Sequence, residues 1–276
     1  MAAMLDLEGR RVLITGASSG LGLEMARLLA KNQRAHPILV ARRKEKLEEL
    51  RQELAGLGAK AEVISADLTR PDDVARVYDE SVAGGEVHSV ILNAGITHFG
   101  RFRNQDEDSI HALFRTNVEA VVRLTHKFVT HILGHRQNGG IMIVSSMAGM
   151  QPMPFQAIYG GTKAFLNSFA AAVAEELRDE PISISVYCPG GIDTNMVSSS
   201  AMSTKYKKGH PMIMDPVECA QIGLDAFRRR KSLTIPGTVN NLAALGSKLG
   251  PRGLVARLVA NDYAEALPES DRSKKR

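Results

Sequence analysis

The chain alternates short apolar runs with longer amphipathic stretches between about residues 11 and 235. Short runs rich in β-branched residues predict buried strands, and apolar residues three or four positions apart predict helices. Strands are predicted over residues 12–14, 38–40, 61–64, 90–92, 141–144, 182–186 and 233–235. Because helices separate these strands, the pattern predicts an α/β fold, a doubly wound sheet of seven parallel strands flanked by helices.

Helices are predicted over residues 21–30, 44–54, 109–133, 157–178 and 216–229, and one more is predicted to begin at Pro71. Two stretches do not fit this alternation of strands and helices. Residues 195–215 are polar and rich in methionine, and we expect a mobile lid there. Residues 238–276 are expected to form a helical extension that is broken at Pro251, packs on the domain or on a partner subunit, and ends in a charged tail. The sequence thus predicts one domain over residues 1–237, followed by this extension.

The composition narrows the class of protein. Hydrophobic residues make up 44% of the chain and charged residues 24%, a balance typical of globular proteins. No apolar run approaches the 18 residues or so that a membrane-spanning helix requires. The first residues include Asp6 and Glu8, unlike a targeting peptide. Cys188 and Cys219 lack metal-binding or CxxC spacing, which favours reduced thiols and a cytoplasmic location.

The formal charge of +5 comes from scattered groups, and the chain has no Trp and only 5% aromatic residues. Basic residues interleaved with aromatics, the pattern of nucleic-acid binding, are therefore missing. His131 and His135 have the spacing of half a metal site on a helix, but no further ligand follows them. We predict neither nucleic-acid nor metal binding, and we assign these histidines to a solvated helix face or a subunit contact.

A glycine-rich segment, Thr15–Gly22, directly follows the first predicted strand and opens a helix. Small residues there let the backbone approach a pyrophosphate at the helix N-terminus. The residues expected to hold the dinucleotide are Gly16, Ser18, Ser19, Gly20, Leu21 and Gly22. A tight structural turn without a ligand is the alternative.

Two arginines, Arg42 and Arg43, follow the second predicted strand. Sites that bind NAD usually place a carboxylate near this position to hold the ribose 2′-hydroxyl. An arginine instead offers paired, charge-assisted hydrogen bonds to a phosphate. The sequence therefore predicts NADP(H) rather than NAD(H), unless the arginines only solvate the start of the next helix.

Tyr159 and Lys163 lie four positions apart on a predicted helix, so both side chains project from one face. None of the other four tyrosines has a lysine at this spacing. On spacing alone, a surface pair is at least as good an interpretation as a catalytic one.

Taken with its surroundings, the pair resembles the short-chain dehydrogenase/reductase family over residues 9–236. The resemblance rests on Thr15–Gly22, Asp67-Leu68, Asn93-Ala94-Gly95, Asn117, Ser145-Ser146, Tyr159 with Lys163, Pro189-Gly190 and Thr194. It implies a Rossmann fold and hydride transfer between a nicotinamide and a carbonyl or alcohol carbon.

The resemblance also implies roles for four catalytic residues. Tyr159 would donate or accept the proton, and Ser146 would orient the substrate carbonyl, while Ser145 belongs to the strand end. Lys163 would hold the nicotinamide ribose. Together with the positive nicotinamide of the oxidised complex, it would lower the pKa of Tyr159 from about 10 by about three units, or roughly 4 kcal/mol. Asn117 would position a water that joins Lys163 to a proton relay. Accommodation of an irregularity in its helix is the alternative role, and the two roles are compatible.

Further cofactor contacts are implied at three places. Asp67 and Leu68 match the family's adenine contacts. Asn93, Ala94 and Gly95 match the segment beside the adenosine ribose. Pro189, Gly190, Ile192 and Thr194 match the loop at the nicotinamide, although Gly191 stands where a larger residue is common.

The substrate is less defined by the sequence. Methionines gather around the expected cleft, at Met147, Met150, Met153, Met196, Met202, Met212 and Met214. Their flexible side chains suit an acyl chain, a sterol or another lipid-like carbonyl compound, and ordinary gap filling explains them nearly as well. Leu254, Val255, Leu258 and Val259 share one helical face, which is expected to pack over the cleft or on a second subunit, with a membrane surface as the alternative.

Two other functions remain open. An NADP(H)-binding sensor or scaffold would have the same fold without turnover, but it would not need a complete proton relay. An epimerase or dehydratase would use the same tyrosine, but it usually has a larger substrate domain. The family commonly pairs subunits through the helices that carry Asn117 and Tyr159, which implies a homodimer or homotetramer.

Overall fold

The structure is a computed structural model that describes residues 4–135, 138–193, 213–267 and 271. Its strands are β1 (Arg11–Thr15), β2 (His36–Ala41), β3 (Glu62–Ser65), β4 (Ser89–Leu92), β5 (Gly139–Val144), β6 (Ile182–Tyr187), β7 (Gly191–Ile192), β8 (Ile213–Met214) and β9 (Leu233–Thr234). Its helices are α1 (Gly20–Gln33), α2 (Lys44–Ala55), α3 (Pro71–Ala83), α4 (Glu107–Phe114), α5 (Ala120–Gly134), α6 (Ala157–Glu176), α7 (Pro216–Arg228), α8 (Thr238–Leu249) and α9 (Arg252–Ala264).

Seven strands form one sheet in the order β3-β2-β1-β4-β5-β6-β9, and every neighbouring pair is parallel. The predicted doubly wound α/β fold is therefore confirmed. The strand order reverses between β1 and β4, where Ile14 pairs with Ile91. In sheets of this kind the carboxyl ends of the strands open a crevice at the point of reversal, which is where ligands bind.

Both faces of the sheet are buried, since side chains alternate along each strand between two layers. Along β1, Val12 and Ile14 enter the layer beneath α1, α2 and α7. Leu13 enters the opposite layer, beneath α3, α5 and α6. Burial on both sides explains why the strands are continuous apolar runs rather than alternating ones.

The single uninterrupted helix predicted over residues 109–133 is wrong, whereas the helix irregularity expected at Asn117 is present. The chain forms α4, then a π-helical turn over Arg115–Glu119, and then α5. Asn117 is fully buried within this turn, and its amide bonds both backbone groups of Ile96. The widened turn accompanies these hydrogen bonds to the segment after β4. Helical periodicity in the sequence gives no information on such a contact.

The C-terminal extension breaks at Pro251 as predicted, between α8 and α9. Asp271, described beyond α9, accepts hydrogen bonds at its carboxylate from the Arg101 backbone N–H and from Asn104. Its backbone oxygen accepts a bond from Arg101 Nε at 2.6 Å. The extension thereby returns to the segment between β4 and α4. Among the helices that the structure describes, none is both long and apolar enough to cross a membrane.

Candidate active site

A cavity of about 450 Å³ opens at the carboxyl ends of the strands. The residues predicted for the site that line it are Gly16, Ser18, Ser19, Gly20, Leu21, Arg42, Arg43, Asp67, Leu68, Asn93, Ala94, Gly95, Ser146, Tyr159, Lys163, Pro189, Gly190 and Ile192. Gly22 and Asn117 support these residues without lining the cavity. Thr194 and residues 195–212 of the expected lid lie outside the described residues, and residues 213–215 form β8 and the N-cap of α7.

The glycine-rich loop needs its glycines for two different reasons. Gly16 and Gly20 have φ angles of +72° and +58°, in the left-handed region that glycine adopts without strain. Gly22 leaves no space for a side chain, because a Cβ there would lie 2.5 Å from both Asn93 Nδ2 and Gly16 O. The loop is therefore packed tightly at the start of α1, with its backbone facing the cavity.

Asn93 and Thr15 hold this loop to the centre of the sheet. The backbone N–H groups of Asn93 and Ala94 each donate to Thr15 Oγ1 at 3.0 Å. The Asn93 amide donates in turn to Thr15 O at 3.0 Å. The segment after β4 and the loop after β1 are thus fixed to each other across the point of strand reversal.

Arg43 is exposed at the start of α2, and its side chain reaches back to the glycine-rich loop. Its Nη2 donates to Ser18 Oγ at 3.0 Å and to Ser19 Oγ at 2.9 Å. This guanidinium therefore lies across the glycine-rich loop, and Arg42 lines the same end of the cavity. Two cations and two hydroxyl groups at one position can together hold a phosphate.

Asp67 and Leu68 form the next part of the wall, after β3. Asp67 Oδ1 accepts bonds from both the backbone N–H and the hydroxyl of Thr69, at 3.0 and 2.9 Å. The Asp67 backbone N–H donates to Asp73 Oδ2 at 2.7 Å. These local bonds hold the backbone of the turn, so that Leu68 lies against the cavity in a fixed position.

Tyr159 and Ser146 face each other at the opposite end of the cavity and share a hydrogen bond. Burial raises the pKa of the Tyr159 phenol above its ordinary value of 10.0, and the bond to Ser146 lowers it by a smaller amount. Ser146 Oγ also accepts a bond from the Ala148 backbone N–H at 3.1 Å. Ser145, at the end of β5, donates instead to the backbone oxygen of Lys163.

Lys163 is almost fully buried, with 4% of its surface exposed. Its Nζ donates to Val144 O at 2.9 Å and lies 5.8 Å from the centre of the Tyr159 ring. Burial lowers the pKa of Lys163 to about 8. In the protein alone, burial therefore raises the pKa of Tyr159, and the lowering expected from Lys163 together with the positive nicotinamide of the oxidised complex stays a prediction.

Asn117 approaches the same lysine from the π-helical turn. Its Oδ1 accepts a bond from Ile96 N, and its Nδ2 donates to Ile96 O and to Thr162 Oγ1, at 2.9, 2.9 and 3.2 Å. A Cβ on Gly95 would lie 3.4 Å from Lys163 Nζ and 3.5 Å from Asn117 Oδ1. Gly95 therefore leaves a small space between a buried ammonium and a buried amide oxygen.

A protein-family model described as short chain dehydrogenase matches residues 10–204. The chain belongs to the short-chain dehydrogenase/reductase family. This assignment places it among oxidoreductases that act on alcohols or carbonyl compounds with a nicotinamide cofactor. The cavity fits such a cofactor, because it has a cationic end beside a glycine-rich helix start and a tyrosine, serine and lysine at the other end.

Similar proteins include an 11-beta-hydroxysteroid dehydrogenase of Pinus massoniana, 35% identical over 72% of this chain and 55% of that protein. A short-chain dehydrogenase from Sphingobium yanoikuyae in complex with NADPH is 30% identical, with a TM-score of 0.76 over 87% of this chain and 93% of that one. A 3-ketoacyl-(acyl-carrier-protein) reductase from Brucella melitensis complexed with NADH is 27% identical, with a TM-score of 0.74 over 83% and 96%. These structures hold different nicotinamide cofactors.

The substrate end of this dehydrogenase/reductase contains residues that no motif indicated. Asn240 and Ala243 of α8 and Tyr263 of α9 line the cavity. Tyr263 packs on Phe99 with ring centroids 5.9 Å apart, and Phe99 packs on Phe155. The sequence indicated only that an extension follows the last strand. It did not show that the helices of this extension pack against the cavity.

Some other predictions for this dehydrogenase/reductase need correction. Met147 and Met153 line the cavity, whereas Met150 and Met214 pack in the core layers instead. Met196, Met202 and Met212 lie outside the described residues. Leu254 and Leu258 do not pack over the cleft, since they are 52% and 61% exposed.

His131 and His135 contact the segment before β4, which the sequence did not indicate. His131 Nε2 accepts a hydrogen bond from the Val87 backbone N–H at 3.1 Å, and His135 pairs with Glu86. Both therefore anchor the segment before β4, rather than forming a simple solvated face. Across the ranges that the structure describes, no group of three His, Cys, Asp or Glu residues could hold a metal ion. Cys188 and Cys219 are buried, and neither is part of a disulfide.

Proposed function

We propose that this protein is an NADP(H)-dependent carbonyl reductase or alcohol dehydrogenase. It would interconvert a ketone or aldehyde and the corresponding alcohol, with a hydrophobic compound as substrate. The observation that carries the proposal is the Tyr159 hydroxyl, bonded to Ser146 and close to buried Lys163 at one end of a cavity. A protein that only senses or stores the dinucleotide has no use for this arrangement.

The protein residues provide orientation and a proton, and bound NADP(H) would supply or accept the hydride. Because burial raises its pKa, the Tyr159 phenol is protonated at pH 7 and is able to donate to a carbonyl oxygen. The Ser146 hydroxyl, directly beside it, orients that oxygen. Lys163, with its pKa at about 8, is mostly an ammonium at pH 7, and it returns a proton toward Tyr159.

The proton reaches Lys163 from the side of Asn117. The space beside Gly95 lies between Lys163 Nζ and Asn117 Oδ1, and both atoms are within 3.5 Å of the position of its absent Cβ. A water molecule there would receive bonds from the ammonium and donate to the amide oxygen. The family resemblance assigns this relay to the same asparagine, and the buried position of Asn117 supports it.

Preference for NADP(H) is supported by Arg43, which lies across the glycine-rich loop on Ser18 and Ser19. We expect Arg43→Ala to raise the KM for NADPH about 10- to 100-fold, because a hydrogen bond to a charged group contributes about 1.5–3 kcal/mol. The KM for NADH should barely change. Arg51→Ala, which removes an exposed arginine of α2, is the matched control. A lower KM for NADH than for NADPH in the unmodified enzyme would overturn this cofactor assignment.

A hydrophobic acyl, sterol or other lipid-like substrate is supported by the wall around Tyr159. Met147, Met153, Ala243 and Tyr263 give this end of the cavity a largely apolar surface. Polar side chains on the cavity wall include Gln151, Asn240 and the hydrogen-bonded pair Gln156 and Thr97. A screen of ketones and aldehydes of increasing apolar size, followed by NADPH absorbance, tests this assignment. Turnover of small polar ketones alone would remove the hydrophobic substrate from the proposal.

Catalysis itself is tested by Tyr159→Phe. We expect turnover to fall at least about a thousandfold, since general acid–base catalysis contributes roughly that factor, while NADPH still binds with an unchanged dissociation constant. Tyr78→Phe is the matched control, because Tyr78 packs on Phe128 far from the cavity. Substantial turnover by Tyr159→Phe would refute the assigned role.

We also propose that the enzyme acts in the cytoplasm as a homodimer or homotetramer. Its two buried thiols, Cys188 and Cys219, suit a reducing compartment. Exposed Phe114 and Phe165, on α4 and α6, support pairing through the helices next to the catalytic residues. Light scattering of the purified protein measures the subunit number, and a monomeric mass at assay concentration would contradict the assembly.

A further inference from the structure

The C-terminal extension has a strongly apolar surface that no described residue covers. Leu242, Leu245 and Leu249 of α8 are 69%, 56% and 79% exposed, and Leu254 and Leu258 of α9 are 52% and 61% exposed. We call these five residues the leucine face. Their spacing of three or four positions within each helix places them on one side of it. Leu249 and Leu254 flank the short turn between the helices, so the exposed leucines of α8 and α9 follow one another along the chain.

The leucine face is not the side of the helices that packs against the rest of the protein. Asn240, Ala243 and Tyr263 provide that side, and they line the cavity. Both helices are therefore apolar toward solvent as well as toward the protein. An exposed apolar surface of this kind marks an interaction site rather than ordinary surface composition.

The charges beside the leucine face limit what can cover it. The two helices, residues 238–264, contain three basic residues, Lys248, Arg252 and Arg257, and one acidic residue, Asp262 in the last turn of α9. Arg252 and Arg257 are exposed and lie within two positions of Leu254 and Leu258 in the sequence. A twofold pairing that brought these arginines of two copies together would place like charges side by side. An anionic lipid surface instead offers acyl chains to the leucines and phosphates to the arginines.

We propose that the leucine face docks on the surface of a membrane that contains anionic lipids. The leucines lie at the boundary between headgroups and acyl chains, and Arg252 and Arg257 bind headgroup phosphates. Because the opposite sides of the same helices line the cavity, docking brings the cavity close to the lipid surface. The proposal concerns binding alone and does not depend on the reaction that the enzyme catalyses.

Vesicle flotation tests the docking directly with the full chain. The protein is mixed with vesicles of phosphatidylcholine and phosphatidylglycerol, or of phosphatidylcholine alone, at low and high salt. We expect flotation with the anionic vesicles at low salt, and much less with neutral vesicles or at high salt. A protein that stays in solution under every condition overturns the proposal.

Variants separate the two components of the interaction. Leu242→Gln/Leu245→Gln/Leu258→Gln should weaken vesicle binding by at least about tenfold, and Arg252→Glu/Arg257→Glu should weaken it about thirtyfold or more. Leu57→Gln, at a leucine 48% exposed elsewhere on the surface, is the matched control and should float like the unmodified protein. Melting temperature and NADPH binding in solution verify that each variant is folded.

Light scattering of the same variants tests whether a second copy of the chain, rather than a membrane, covers the leucine face. If the leucine substitutions reduce the subunit number and the unmodified protein does not float, the leucine face is a subunit interface and the proposal is wrong. If the subunit number is unchanged and flotation is lost, the membrane assignment stands. Equal flotation of all variants and the unmodified protein would also overturn it.

Discussion

Lys163 carries a free-energy cost in the folded protein, and removing it should make the protein more stable while abolishing turnover. Burial lowers the pKa of Lys163 from 10.5 to about 8. At pH 7 the lysine is charged in both the folded and the unfolded state, so this difference corresponds to about 3 kcal/mol of lost stability. The loss is complete only below about pH 8. Between pH 8 and 10.5 the unfolded chain binds more protons, so the stability rises with pH.

The substitution Lys163→Met removes this cost together with the bond from Nζ to Val144 O, which contributes about 1 kcal/mol. The net gain at pH 7 is about 2 kcal/mol, or roughly 4–8 °C in melting temperature for a chain of this size. At about pH 9.5 the cost in the unmodified protein has fallen to about 1 kcal/mol, so the gain should vanish.

Melting curves of the two proteins at pH 7 and pH 9.5, followed by circular dichroism, measure the effect. Lys60→Met is the matched control, because it replaces an exposed lysine and should change the melting temperature little at either pH. Comparing each variant with the unmodified protein at one pH cancels the titration of the other groups. A melting temperature for Lys163→Met below that of the unmodified protein at pH 7 would refute the reasoning, and so would an equal gain at both pH values.

Three further predictions concern two positions at the site, Gly190 and Asn117, and one buried histidine at the opposite end of the sheet, His88. Gly190→Ala should raise the KM for the cofactor about tenfold or more, because the added Cβ would lie 2.6 Å from Asn240 Nδ2. The double variant Gly190→Ala/Asn240→Ala should recover part of this loss in steady-state assays. His88, whose pKa burial lowers to about 4, must be neutral in the folded state, so stability should fall as the pH drops from 6.5 toward 4. His88→Gln should melt with a smaller acid-dependent decrease, and an unchanged decrease would contradict this. Asn117→Ala leaves both backbone groups of Ile96 unpaired, and urea unfolding should show a loss of about 2–4 kcal/mol.

The sheet was predictable from the sequence because buried parallel strands form local apolar runs. Strands β1 to β6 and β9 all overlap predicted runs, and the helix start at Pro71 matches α3. The residues around the cavity were predictable for a different reason, since they follow strand ends or open helices in recognisable motifs. The glycine-rich loop, Tyr159 and Lys163 all come together at the carboxyl edge of the sheet.

The remaining features depend on tertiary contacts that no local pattern contains. At the π-helical turn, the side chain of Asn117 bonds Ile96, which lies on another segment of the chain. The raised pKa of Tyr159 depends on the degree of burial, which the i, i+4 spacing to Lys163 does not reveal. The orientation of Arg43 toward Ser18 likewise depends on the proximity of two loops that are separated in the sequence.

The end of the family match separates the residues proposed for the reaction from part of the cavity wall. The match stops at residue 204, and it includes Ser146, Tyr159 and Lys163. The substrate end of the cavity, in contrast, is partly built by Ala243 and Tyr263, which lie beyond the match. Asp271 holds this extension against Arg101, near the Phe99 ring on which Tyr263 packs. The residues proposed for the reaction therefore lie in the part of the chain that the family match covers, whereas part of the cavity wall lies in the extension beyond it.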